Sequence, residues 1–111
     1  MVTVKYKPDS YELKMKGHAD FGEFGTDIVC AAISTVFYNF ASKLRCYPPE
    51  AFIKPLVMDE AKGKGGVSKI ICRPAKGYEK LIDNDVIYML SGFEMLQGNY
   101  PECINLVVTQ K

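Results

Sequence analysis

Apolar and polar residues alternate from the first positions of the chain. Thr3 to Tyr6 and Tyr11 to Lys16 predict two strands, and Pro8-Asp9-Ser10 between them is turn chemistry, so the pair reads as a hairpin. In the second strand Tyr11, Leu13 and Met15 alternate with Glu12, Lys14 and Lys16, which predicts one buried and one wet face. From Asp27 the period changes. Ile33, Val36, Phe37, Phe40 and Leu44 recur at helical spacing up to Arg45. Thr26 or Asp27 can cap this helix, Lys43 and Arg45 suit its last turn, and Pro48-Pro49 stops it. Ala51 to Met58 and Val67 to Arg73 predict two further strands, and Pro55 argues for an edge position or a bulge in the first. Gly77 and Tyr78 lead into a second helix that runs to about Leu96, with Ile82, Val86, Met89 or Leu90, Phe93 and Leu96 as its apolar stripe. Gly98 and Pro101 are its stop signals, and Cys103 to Thr109 is a final strand.

The predicted order is ββαββαβ. It corresponds to an α/β (α+β) sandwich, one mostly antiparallel sheet with two helices. The 111 residues fit a single domain spanning 1–111, with no repeat or low-complexity segment. Such a length supports a core without metal or disulfide staples.

Charge narrows the function classes. Fourteen Lys and Arg against 13 Asp and Glu leave a net of +1, scattered without a basic run. That balance gives no support to a nucleic-acid partner. The start of the chain lacks the profile of a signal peptide. The longest mostly apolar run, Ile28 to Ala41, is too short and too polar for a membrane span. The expected location is the cytoplasm, without a membrane partner. Cys30, Cys46, Cys72 and Cys103 are far apart in sequence, so neither disulfides nor a zinc site is expected. No metal or other cofactor is called for.

The candidate chemistry is a thiol and an imidazole. His18 is the only histidine, and Cys30 follows 12 residues later, across a segment containing Gly17, Gly22 and Gly25. Placed in the first turn of a helix, Cys30 would have free N–H groups and the helix dipole beside it. Both favour a thiolate, and the N–H groups can hold a developing oxyanion. His18 could then serve as base to the sulfur. The residues alone leave two accounts open. A helical cysteine beside Ala31 and Ala32 is also an ordinary packing residue, and a histidine at a strand end is also an ordinary surface group.

Gly17-His18-Ala19 followed by Asp27-Ile28-Val29-Cys30-Ala31-Ala32-Ile33-Ser34 closely resembles the ribosomal-processing cysteine protease family, Prp. That family pairs a G-H-A with a D-I-V-C-A-A-x-S helix start across a glycine-containing loop. The resemblance extends over essentially the whole chain, and its specific part is Gly17 to Ser34. It implies a bacterial, cytoplasmic, homodimeric α/β sandwich. It also implies removal of the short N-terminal extension from the precursor of large-subunit ribosomal protein twenty-seven, with cleavage after an aromatic residue. His18 and Cys30 would be the catalytic dyad, supported by Asp27 and Ser34.

Asp27 either orients His18 or caps the helix. Ser34 lies one turn beyond Cys30 and either hydrogen-bonds near the sulfur or bonds back to the Cys30 carbonyl. Gly17, Ala19, Phe21, Gly22, Phe24 and Gly25 are the candidate peptide contacts, in a loop expected to close over substrate. Two other readings compete with the peptidase: a non-enzymatic module docking on a ribosomal component, and a thiol hydrolase of small esters.

Overall fold

A computed structural model describes residues 1–17, 24–60 and 67–109, with the backbone alone for 24–27. The elements are β1 (Val2–Lys7), β2 (Glu12–Lys16), α1 (Phe24–Arg45), a 3-10 turn (Pro49–Ala51), β3 (Val57–Asp59), β4 (Val67–Ile71), α2 (Glu79–Asn99) and β5 (Ile104–Val108). They form the expected ββαββαβ order. The five-stranded sheet runs β3-β4-β2-β1-β5. Three of its pairings are antiparallel, and β1 with β5 is parallel.

Alternation decides the faces. Val2, Val4, Tyr6, Leu13, Ile70, Cys72 and Ile104 are buried on one face of the sheet. Both helices cover that face, through Ile33, Phe37, Phe40 and Leu44 of α1 and Ile82, Val86, Met89, Phe93 and Leu96 of α2. Met89 rather than Leu90 completes the α2 stripe. The two helices run antiparallel, since Val36 lies against Gly92 while Lys43 meets Asp85 one helical stretch away. A Cβ on Gly92 would come within 3.2 Å of Val36, so the glycine lets the helices approach. A polar cluster ties them further along. The Tyr47 hydroxyl donates to Asp85, and Lys43 donates to both Tyr47 and Asp85.

Several boundaries differ from the sequence expectation. The hairpin connection extends through Tyr11, which has φ +49 and accordingly sits at the turn rather than in β2. Its hydroxyl donates to Asp83 of α2. The expected strand from Ala51 shrinks to β3: Pro48-Pro49 nucleates the 3-10 turn, and Pro55 interrupts the ladder, leaving an isolated bridge between Phe52 and Pro74 before it. Gly77, at φ +96, and Tyr78 lead into α2 as expected. Gly98 does not stop α2, which continues to Asn99; the wrap from the Tyr100 N–H to the Leu96 carbonyl ends it just before Pro101. α1 begins at Phe24, three residues earlier than periodicity indicated.

Candidate active site

The early start of α1 changes the surroundings of Cys30. Counting from Phe24, Cys30 is the seventh residue, in the second turn rather than the first. A helix leaves only its first four N–H groups unpaired, so those of Cys30 and Ala31 are committed within α1. The expected oxyanion donors at Cys30 are therefore not free in this form, and the dipole fades beyond the first turn. Thr26 and Asp27 lie inside the helix and do not cap it. Phe24 and Gly25, read as loop residues, are the first two residues of α1.

Cys30 is half-buried and packs against the edge of the core, flanked by the fully buried Val29 and Ile33. Ser34 stands one turn further along and is also half-buried. The hydroxyl that bonds back onto the helix is that of Thr35, to the Ala31 carbonyl at 2.7 Å; among the described residues Ser34 makes no such bond.

The other three thiols have different settings. Cys72 is buried, and burial pushes its thiol from the ordinary 9.0 up to about 12. Cys103 is buried as well. Cys46 is exposed just past the far end of α1, where its thiol donates to the Ser42 carbonyl at 3.3 Å.

Gly17 ends β2 with φ +102. A Cβ there would fall 2.5 Å from the Met1 carbonyl oxygen. Only glycine fits both the backbone angle and that close approach. Its role is conformational: it follows the last residue of β2 at a position no side chain would fit.

The topology brings Gly17 and Cys30 to one end of the molecule. Gly17 abuts Met1 and Val2, and Val2 pairs with Ile104 at the start of β5. That point follows directly on the end of α2, and α2 ends where the antiparallel α1 begins. An open depression of about 580 Å³ lies at this end, lined by Met1, Gln97, Gly98, Pro101 and Asn105 among others. His18, Ala19, Phe21 and Gly22 lie outside the described residues, as do the side chains of Phe24 and Asp27, so the dyad separation and the loop reading fall outside them too. Among the described residues no group of three His, Cys, Asp or Glu side chains is arranged to hold a metal. None of the described helices is long and apolar enough to cross a membrane.

Cys30, half-buried near the start of a long helix, is the candidate thiol nucleophile of this end of the fold. The family model for cysteine protease Prp matches residues 1–105. The chain therefore belongs to the Prp family of ribosomal-processing cysteine proteases. Its fold is similar to that of the essential ribosomal processing protease Prp from S. aureus in complex with a substrate peptide, with TM-score 0.74, 25% identity, and coverage of 98% of this chain and 100% of that one. The same S. aureus enzyme with a covalently linked product peptide gives TM-score 0.70 at 25% identity, with the same coverage. SMU.848 from Streptococcus mutans gives TM-score 0.71 at 27% identity over 99% of this chain and 93% of that one. No curated protein matches the sequence.

Proposed function

We propose that the protein removes the N-terminal extension from the precursor of large-subunit ribosomal protein twenty-seven, cutting after an aromatic residue, with Cys30 as nucleophile and His18 as its base. The observation that carries this reading is the placement of Gly17 and Cys30 toward the same end of the fold. It gives physical meaning to a motif that is otherwise only a pattern. His18 takes the thiol proton, and the thiolate attacks the scissile carbonyl. The imidazolium then protonates the departing amine, and water hydrolyses the acyl-enzyme. With Cys30 two turns into α1, this activation rests chiefly on the imidazole. Asp27 and Ser34 assist: Ser34 has a hydroxyl with no back-bond, and Asp27 is one turn before Cys30. Ala19, Phe21, Gly22, Phe24 and Gly25 contact the peptide, and Gly17 aims the segment that carries them. The covalently linked product peptide in the S. aureus relative supports covalent catalysis.

The active form is a cytoplasmic homodimer in this reading. The outer surface of the helix layer exposes Ile87, Tyr88 and Met95 of α2, at 65%, 77% and 61%. Tyr88 borders a groove between α1 and α2 floored by Val36, Phe40 and Gly92. An apolar stripe of this kind suits a self-complementary contact with a second copy.

The test is incubation with two substrates: a synthetic peptide spanning the extension, and a small activated ester. Cleavage on the carboxyl side of the aromatic residue supports the proposal. Turnover of the ester with the peptide left intact would favour the thiol hydrolase instead.

A further inference from the structure

The second face of the sheet carries no helix, and its charge is one-sided. Register places Lys5, Lys14 and Lys69 directly beside one another on three adjacent strands. Lys7 and Lys16 flank this row on the same face, two residues along from Lys5 and Lys14. Against these five lysines stand Glu12, 3.0 Å from Lys14, and Asp59, 3.9 Å from Lys69. The face thus nets three positive charges where the whole chain nets +1, so the rest of the molecule is acidic on balance. A near-neutral total had concealed this separation.

Like charges directly opposite one another destabilise a sheet. Lysines are often placed on edge strands to block aggregation, but that use does not apply here. All five lie on β1, β2 and β4, which are interior strands in the order β3-β4-β2-β1-β5. Solubility alone would be served by interspersed signs.

We propose that this face binds the phosphate backbone of a nucleic-acid strand. Backbone positions about 4.8 Å apart across strands and about 6.7 Å apart along them hold these lysines as a two-dimensional grid of cationic side chains. A polyanion with regularly spaced charges is the partner that engages several of them at once. The described residues of the face include no aromatic side chain. It therefore has no platform for base stacking and no interfacial anchor for a membrane, and its contacts are to phosphate alone, without sequence preference.

The test uses fluorescence anisotropy with a fluorescein-labelled 20-nucleotide oligouridylate and the full chain. The proposal expects binding that weakens about tenfold or more between 50 and 200 mM salt. The triple variant Lys5→Gln, Lys7→Gln, Lys14→Gln should bind less tightly and lower the slope of log affinity against log salt by about 2. A control removing equal charge elsewhere, Arg45→Gln, Lys76→Gln, Lys80→Gln, should leave that slope unchanged. Peptide cleavage at the parent rate in both variants shows intact folding. If the triple variant does not fold, Lys5→Gln alone must lower the slope by about 0.7. Absent binding, equal losses in both triple variants, or binding to phosphatidylserine vesicles but not to the oligonucleotide would each overturn the proposal.

Discussion

Gly17 is the residue whose replacement the fold tolerates least at the candidate site. Gly17→Ala must accommodate a Cβ against the Met1 carbonyl and a positive φ, and it should cost about 1–3 kcal/mol in urea denaturation. Peptide turnover should fall with it, because Gly17 immediately precedes His18 in the proposed dyad. The thiols give a second prediction at this scale. Iodoacetamide at limiting concentration should label Cys30 ahead of Cys46 despite the greater exposure of Cys46, and should spare Cys72 and Cys103. Peptide mapping reads the order, and Cys46 reacting first would count against an activated Cys30. The motif residues were legible in the sequence because their types and spacing are specific. The reason for Gly17 was not, because it depends on a contact with Met1, distant in sequence but beside it at the open end of the hairpin.

At the scale of elements, periodicity identified the buried faces of both helices correctly, since burial repeats with the helical turn. It missed the start of α1. Phe24, Gly25 and Thr26 carry no helical periodicity, and glycine-containing segments read as loops. It also could not see the tie between Tyr11 and Asp83, partners 72 residues apart. That tie has a pH signature. Burial, with the Asp83 hydrogen bond next in weight, raises the Tyr11 hydroxyl from 10.0 to about 12. The folded state thus holds the proton more firmly than the unfolded chain. The stability this group contributes is complete below about pH 10 and is lost as pH rises toward 12. Burial of Cys72 acts in the same direction from pH 9.0 to about 12. Urea midpoints across this range should decline less steeply in Tyr11→Phe than in the parent, and identical profiles would exclude the contribution. In the shared core, Phe93→Ala should destabilise by about 3–5 kcal/mol, measured the same way.

For the whole molecule, the two faces divide the work. The helix layer presents an apolar surface suited to a second copy, while the open sheet presents lysines. Composition alone averages these surfaces together, and only strand register separates them. Tyr88→Asp places a charge in the centre of the proposed dimer contact and should convert a dimer to a monomer in light scattering. Unchanged mass would move the contact elsewhere. Because Tyr88 lies far along α2 from the Cys30 end, the variant should keep its fold by circular dichroism.

The central claim is that Cys30, assisted by His18, performs the cleavage. Its most direct measurement is turnover of the extension peptide by the parent, Cys30→Ala and His18→Ala proteins, with circular dichroism recorded for each. The account predicts native spectra throughout, cleavage by the parent, and none above background by either variant. Cleavage by folded Cys30→Ala at the parent rate would contradict it.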